Sequence, residues 1–198
     1  MAQAALQWDP SRGRVEWVIE DVRDAADRVR VQEFLQGLIP GIADDAVPMS
    51  ASDGMYAPVV VRAVGDDGRI IGAALSCRAQ VAATASMLPG RALPGLGDFG
   101  PVMDVHSELD LLAVAPEARG QGVGSALVSA VEARLRDRGV RWWFGNVTPG
   151  LDAERLRRFY GRHGFDVGPP GAFLPPLLGR QWIMPGTPPT AFYFWRRL

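Results

Sequence analysis

Apolar and polar residues follow one another along this chain with periods that predict both strands and helices. A partly alternating run at 14–20 indicates a first strand, and from Asp21 onward the apolar residues recur at helical spacing. Two β-rich runs, 58–64 and 69–78, are separated by the turn sequence Gly-Asp-Asp-Gly, which predicts a hairpin. The pattern therefore favours a fold that mixes helices with a sheet.

The strongest pattern is a strand, a glycine-rich turn and a helix in the middle of the chain. An apolar run at 109–115, interrupted by Asp110, predicts a buried strand, and a turn at 116–118 follows it. Three glycines at alternate positions then lead into a helix with one apolar face. The residues of that face are Val123, Leu127, Val128, Val131 and Leu135. Glycines at such a corner let the backbone approach a ligand, and the outward-pointing first amides of the helix suit a phosphate group.

The later part of the chain adds two strands and a helix. A fifth strand is predicted at 140–147, where the aromatic residues are expected mainly in the core. A helix is predicted at 153–162, with Asp152 as its N-cap. The last strand, at 191–196, is strongly apolar for a strand at the edge of a sheet, so we expect that it could pair with a second copy in a homodimer.

The domain organisation is simple. Residues 1–13 carry no periodic pattern and are expected to form a loose arm, which leaves a single domain at 14–198. Two segments rich in proline and glycine, 80–105 and 168–190, interrupt the regular pattern. The second is expected to be an extended excursion between the last two strands.

Composition narrows the function classes. The 198 residues are 47% hydrophobic and 22% charged, and the net charge of −1 gives no general attraction to nucleic acid or to an anionic membrane. The single cysteine, Cys77, lies in a strand pattern and is expected in the core. The two histidines, His106 and His163, are too far apart to suggest a metal motif, and no metal is expected. With neither a signal peptide nor a membrane-spanning run in the sequence, the expected location is the cytoplasm.

Three known phosphate-binding turns could account for the central pattern. A dinucleotide fingerprint would place its glycines directly at the strand end and an acid about twenty residues later, but here the region 141–146 contains no acid. The ATP-type loop requires Gly-Lys-Ser/Thr and is excluded because the chain contains no lysine. The third is the coenzyme A turn Arg/Gln-x-x-Gly-x-Gly/Ala, which Arg119, Gly122 and Gly124 match at every fixed position.

A second motif lies further along, where the run 159–165 contains Tyr-x-x-x-Gly-Phe. With these two motifs in this order, the chain resembles the Gcn5-related N-acetyltransferases (GNAT) over roughly residues 58–168. The resemblance implies an α/β (α+β) fold with a mixed, mostly antiparallel sheet of six to seven strands and about four flanking helices. It also implies acetyl-CoA as co-substrate and direct attack by a primary amine while both are bound.

The same resemblance assigns residues to the coenzyme. The backbone of the central strand would pair with the pantetheine amides, and the amides of the turn would hold the pyrophosphate. The positions concerned are Leu112, Ala113, Val114, Arg119, Gly120, Gln121, Gly122, Val123, Gly124 and Ser125. Tyr160 would bind at the thioester and protonate the departing thiolate; the alternative is a packed structural tyrosine. Where family members carry an asparagine for the pantetheine arm, this chain has Asp152 or Ala153, and Asn146 is a candidate substitute.

The attacking amine must lose a proton, and acids of the central strand are candidates to accept it. Glu108 and Asp110 lie two apart on the strand and so project to one face. Glu108 is the first choice, followed by Asp110 and then His106. Alternatively no single base exists, and both acids bind a cationic acceptor or an arginine. His163 is expected to be a surface residue of its helix.

The acceptor stays open at this point. A small-molecule amine is favoured, and an aminoglycoside-like drug or a protein N-terminus are the other options. We expect the segment 80–105 to cover or shape the acceptor pocket, against an uninvolved surface insertion. The competing interpretation of the whole chain is a catalytically silent member of the fold, which serves as an acyl-CoA sensor or a protein-interaction module.

Overall fold

A seven-stranded, mostly antiparallel sheet with helices on both faces forms the centre of the molecule. The computed structural model describes residues 16–79, 104–147, 152–177, 180–182 and 191–198. The helices in these ranges are α1 (Ala25–Leu38), α2 (Val123–Asp137) and α3 (Ala153–Arg162), with a 3₁₀ turn at Pro116–Ala118. The strands are β1 (Trp17–Asp21), β2 (Val59–Gly65), β3 (Ile70–Cys77), β4 (His106–Val114), β5 (Trp142–Val147), β6 (Asp166–Val167), β7 (Leu174–Leu177), β8 (Arg180–Trp182) and β9 (Phe192–Arg197).

The predicted fold class is confirmed. The strand order is β1-β2-β3-β4-β5-β9-β6, in which β4 and β5 run parallel and the other neighbours run antiparallel. The predicted hairpin is formed by β2 and β3, and the helix predicted at 153–162 begins after Asp152, whose carboxylate accepts a hydrogen bond from the Arg155 amide. The expected loose arm and nearly all of the segment 80–105 lie outside the described residues.

The expectation for the last strand was wrong. β9 is an interior strand, because its whole length pairs with β5 on one side and its Phe194 and Trp195 pair with β6 on the other. Its apolar side chains are therefore core residues, with Phe192 and Phe194 at most 1% exposed. An unprotected edge was the reason for expecting a homodimer, and this edge does not exist at β9. The excursion before β9 contains a small separate sheet of β7 and β8.

The sheet divides the core into two parts. The α2 face is the side covered by α2 and α3, and its core includes Leu109, Trp143 and Tyr160. The α1 face is the side covered by α1, and its core includes Ala113 and Cys77. The predictions of a buried Cys77 thiol and of buried aromatic residues in β5 are confirmed.

Helix α1 is fixed to the loop that follows it by two buried polar side chains. Arg28 donates hydrogen bonds to the carbonyls of Pro48 and Val22, at 2.5 and 3.0 Å. Gln32 donates to the Ala43 carbonyl and accepts from the Val47 amide, both at 2.8 Å. These bonds satisfy backbone groups that the loop could not pair within itself, so α1 and the loop form one rigid boundary of the α1 face. Within the described ranges, no helix has the length and apolar character needed to cross a membrane.

Candidate active site

The two parallel strands at the centre of the sheet diverge. β4 and β5 pair from His106 and Trp142 to Leu109 and Gly145. β4 then continues to Val114, while β5 stays with β9 through Val147. In the described part of the chain, the last five residues of β4 consequently have no ladder partner on the β5 side. Their backbone groups on that side line a cleft in the middle of the sheet and, apart from the Val114 carbonyl, which accepts a hydrogen bond from Arg119, are available to a ligand.

Gly145 stands at the point of divergence. A Cβ atom at this position would lie 2.4 Å from Cζ of Phe194 and 2.8 Å from the carbonyl oxygen of Leu109. Both distances are below any real contact, so only glycine lets β5 approach β4 while the Phe194 ring packs over it. The cleft between β4 and β5 therefore begins at a residue without a side chain, which lets the two strands come close together there.

The pairing of β4 with β3 contains a β-bulge at Asp110. Ser76 pairs with Leu109 and Leu75 with Leu111, so Asp110 is the extra residue. As a result Leu109 packs in the core of the α2 face, whereas Leu111 packs against the core of the α1 face. Glu108 pairs directly with Cys77 of the α1-face core, so its side chain lies on that face. Asp110 is the bulged residue, where the alternation of side chains is interrupted, so the spacing of two does not fix its face. After burial, the charges of both acids help to raise the pKa of Cys77.

A buried hydroxyl supports the backbone beside the bulge. The Ser76 hydroxyl donates to the carbonyl of Glu108 at 2.7 Å and accepts from the indole Nε1 of Trp143 at 3.0 Å. It also lies 2.8 Å from the Ser107 hydroxyl. Ser76 is fully buried, so this network fixes the backbone from which the Glu108 side chain projects.

The glycine turn has the geometry of an anion site. Gly122, at the N-cap of α2, has a φ of +86°, which side chains of L-residues rarely permit. No side chain caps the helix, and its first turn contains no acid. The Ala126 amide makes the first helical bond, to the Gly122 carbonyl. The amides before it point outward with the positive end of the helix dipole, which suits a phosphate group.

The side chains of the turn support its backbone. Arg119 donates from Nε to the Val114 carbonyl at 3.1 Å, which leaves the rest of its guanidinium at the mouth of the turn. Gln121 donates to the Glu117 carbonyl at 3.0 Å. The predicted coenzyme positions, 112–114 and 119–125, are thus brought together at the open end of β4 and the start of α2.

Tyr160 is buried among aromatic side chains. The ring stacks on Phe194 with 3.6 Å between centroids and meets Phe165 edge-on. Burial of the ring raises the pKa of Tyr160 well above its usual value of 10, so the phenol keeps its proton and acts as a hydrogen-bond donor.

Glu108 and Asp110 differ in exposure. Glu108 is only 4% exposed and accepts a hydrogen bond from Asn146 at 3.2 Å. Burial, followed by repulsion from Asp110, raises the pKa of Glu108 to about 8. Asp110 keeps contact with solvent, but the surrounding protein atoms raise its pKa to about 6 through desolvation. At neutral pH the pair therefore holds about one proton, on Glu108, and Asp110 can take a second from a neighbouring group. Asn146, the suggested pantetheine contact, is engaged with Glu108.

The two histidines are placed differently from the expectations. His106, the third candidate base, is 1% exposed, and its Nε2 accepts a hydrogen bond from the Ala79 amide at 3.0 Å, so this nitrogen is occupied. His163 was expected to be a surface residue, and this was wrong. It is half-buried at the C-cap of α3, with Nε2 3.1 Å from the Ser125 hydroxyl. The two residues are 38 positions apart, and no local sequence pattern indicates the contact. The described residues contain no group of three His, Cys, Asp or Glu side chains placed to hold a metal ion.

Comparison with known proteins agrees with this geometry. A family model described as "Acetyltransferase (GNAT) domain" matches residues 60–167. An acetyltransferase of the GNAT family from Staphylococcus aureus has a similar structure, with a TM-score of 0.58 and 15% identity over 92% of this chain and 99% of that chain. The acetyltransferase of the GNAT family from Streptococcus pneumoniae gives 0.58 at 12% identity, over 92% and 100%. The ribosomal-protein-S18-alanine N-acetyltransferase from Escherichia coli gives 0.57 at 16% identity, over 92% and 94%.

At these identities the structural similarity establishes the fold alone, and no curated protein matches the chain in sequence. The family model covers more than half of the chain and includes β4, the glycine turn, α2 and Tyr160. The chain belongs to the GNAT acetyltransferase family.

Proposed function

We propose that this protein transfers the acetyl group of acetyl-CoA to a primary amine, with both substrates bound at once and a small-molecule amine as the favoured acceptor. The observation that carries the proposal is the divergence of β4 from β5 beyond Leu109 and Gly145, directly before an uncapped helix N-terminus. This arrangement gives an extended backbone edge and an anion site in one continuous stretch of chain.

The coenzyme fits the described residues in two parts. Pantetheine carries amides in a row, and the backbone of Leu112, Ala113 and Val114 on the side of the cleft would pair with them as a neighbouring strand would. Pyrophosphate carries negative charge, and the amides from Arg119 to Ser125 would hold it. One backbone amide of β4 left over from this pairing would stabilise the negative charge that develops on the thioester oxygen.

Tyr160 is the proposed acid for the departing thiolate. Its raised pKa makes it a weak acid in bulk water, but a positioned donor transfers its proton as negative charge develops on the sulfur. The stacking on Phe194 and the edge contact with Phe165 fix the ring, so the hydroxyl has one direction in which to donate.

Glu108 is the proposed base for the amine, assisted by Asp110. Glu108 lies on the α1 face beside its strand partner Cys77, so in this proposal the acceptor enters from that side of β4 and the coenzyme from the other. An incoming ammonium group would stabilise the ionised forms of both acids, and the pair would then accept its proton. Because Glu108 is buried, only an amino group at the end of a narrow chain can reach it. This favours an unbranched primary amine over a bulky one.

The proposal is tested by incubating the protein with acetyl-CoA and a pool of cellular metabolites, and by identifying acetylated products with mass spectrometry. The wild type is expected to yield acetylated amines, and Tyr160→Phe is expected to lower kcat by about 100-fold with little change in the KM for acetyl-CoA. Thermal melts of both proteins check that the variant is folded.

The possible outcomes are distinct. Products that disappear with Tyr160→Phe support the transferase. Acetyl-CoA binding in calorimetry without any product, also after peptides with free N-termini are offered, would replace the proposal by a coenzyme-binding sensor. Failure to bind acetyl-CoA would overturn it altogether.

A further inference from the structure

A histidine contacts the first turn of α2, in the part of the site assigned above to the pyrophosphate. His163 Nε2 lies 3.1 Å from Oγ of Ser125. The His163 ring also meets the Phe159 ring at 4.6 Å, and Phe159 lies 3.5 Å from the position that a Cβ atom on Gly124 would take. The C-terminal end of α3 thus packs directly on the start of α2.

The backbone of His163 is held by Arg196, which also forms an ion pair with Glu132. Arg196 of β9 donates to the His163 carbonyl at 2.7 Å and holds Glu132 of α2 with two bonds of 3.0 and 3.1 Å. This places the imidazole relative to both α2 and β9, so the contact with Ser125 is part of a connected network and does not depend on a loose surface side chain.

The Ser125 hydroxyl has one proton, and this limits what it can do. If it donates that proton to a neutral Nε2, its lone pairs are directed toward the turn, where they would repel a phosphate oxygen. If it donates to the phosphate, its oxygen needs a donor on the other side. Only an imidazole that carries a proton on Nε2 supplies one.

The charges around His163 favour the neutral ring in the protein alone. Burial and the cations Arg162 and Arg196 lower the pKa of His163, and Glu132 on α2 opposes them. A pyrophosphate at the start of α2 would add negative charge beside the ring and reverse this balance.

We propose that His163 is a positioning residue for the coenzyme: when pyrophosphate occupies the glycine turn, Nε2 of His163 carries a proton and donates a hydrogen bond to Ser125 Oγ, so that the Ser125 hydroxyl donates to a phosphate oxygen. A neutral ring meets this condition as its Nε2–H tautomer, and an imidazolium ring meets it after taking one further proton from water or buffer. The inference rests on the proposed function, because it requires that a coenzyme pyrophosphate binds at this turn.

The test is a nitrogen-15 NMR titration of the imidazole groups with and without coenzyme A. The sequence has two histidines, so the spectrum contains two imidazoles, and the buried His106 serves as an internal control. We expect the His163 pKa to rise by about one unit on coenzyme binding, which by linkage makes binding about tenfold tighter well below that pKa than well above it. Dephospho-coenzyme A, which keeps the pyrophosphate, should give the same rise.

Two variants separate positioning from packing. His163→Phe keeps a ring against Phe159 but has no hydrogen bond, and we expect it to weaken coenzyme binding by about three- to tenfold. His163→Gln can donate from its amide and should retain most of the affinity, with no pH dependence from this site. In a Ser125→Ala background the loss caused by His163→Phe should vanish, because the two residues act through one contact.

The outcomes distinguish this inference from the proposed function. If coenzyme A binds but the nitrogen-15 shifts show no proton on Nε2 of His163 in the complex, the inference is wrong and the proposed function stands. Additive losses in Ser125→Ala and His163→Phe would also overturn it. If the wild type does not bind coenzyme A, the proposed function is wrong, and this inference with it.

Discussion

The α2 face and the α1 face of β4 are built by different means. On the α2 side, the coenzyme positions form one stretch of chain, from Leu112 to Ser125, and consist mostly of backbone groups. On the α1 side, the acid cluster combines Glu108 of β4 with Asn146 of β5, and it depends on a bulge opposite β3. A site made of contiguous backbone can be recognised from a short motif, whereas a site made of side chains from several strands requires the register of the sheet.

The two faces also differ in electrostatics. The coenzyme side offers a helix N-terminus, a guanidinium and no acid in the first helical turn, which suits an anion. The acid cluster combines the buried Glu108 with the solvent-exposed Asp110, and both carboxyls have raised pKa values, which suits a cation. Under the proposed function, each face would select one substrate by charge. The following changes test this division.

The largest expected effect comes from removing the buried carboxyl. Glu108→Gln keeps the shape and the contact with Asn146 but cannot accept a proton, so we expect kcat/KM for the amine to fall by about 100-fold at pH 8. The affinity for acetyl-CoA should be unchanged, because the coenzyme turn is on the other face. Glu33→Gln, on the exposed surface of α1, is the control. A loss smaller than twofold would mean that Asp110 or solvent removes the proton.

The same substitution should change how stability depends on pH. Glu108 keeps its proton up to about pH 8 in the folded chain but loses it near 4.5 when unfolded, so the folded state binds more protons in between. Stability should therefore fall as pH rises through this window, by roughly 3–4 kcal/mol between pH 5 and pH 8. Urea unfolding at pH 5 and at pH 8 should show this fall in the free energy of unfolding for the wild type and for Glu33→Gln. The fall should be smaller for Glu108→Gln. An equal slope in all three proteins would show that Glu108 ionises freely when folded.

Gly145→Ala tests the point where the strands diverge. The added methyl group would press on Phe194 and on the Leu109 carbonyl, and since the carbonyl belongs to a central strand it has little room to move. We expect a loss of about 2 kcal/mol in the free energy of unfolding, measured with urea. Gly37→Ala, on an exposed turn of α1 with open space around it, should instead stabilise the protein by about 0.5–1 kcal/mol. Similar stabilities for the two variants would mean that β5 shifts easily and that the cleft is not fixed by Gly145.

The smallest expected effect belongs to the glycine turn. Gly122→Ala meets open space, so its cost is the positive φ alone, about 1 kcal/mol. Gly41→Ala has a similar φ of +80° and equally open space, far along the chain from the turn, and should cost the same. Only Gly122→Ala should weaken acetyl-CoA binding, by several-fold, because relief of the strain rotates the amides of the turn. Equal affinities in calorimetry would show that these amides do not hold the pyrophosphate.

The comparison of the two faces also explains which predictions from sequence succeeded. Local patterns identified α2, the hairpin and the Asp152 cap, because helical periodicity, turn residues and capping act within a few positions. The glycine turn before α2 was found for the same reason.

The long-range features were missed. β9 was assigned to an edge, since nothing in its own residues records that it pairs with both β5 and β6. The contact of His163 with Ser125 and the hydrogen bonds of Ser76 at the bulge were missed for the same reason. Each depends on which strands and helices become neighbours in the fold.

The interior position of β9 has a consequence for how the chain folds. β9 is synthesised after β5 and β6 but inserts between them, so until it emerges β5 has an open hydrogen-bonding edge and β6 has no strand to pair with. The stacking partner of Tyr160 is also missing until then, because Phe194 belongs to β9. We therefore expect the nascent chain to pass through an intermediate with an exposed apolar strand, which is the kind of species that chaperones bind. Tyr160, the proposed acid, would be fixed in its final orientation by the same event that closes the sheet.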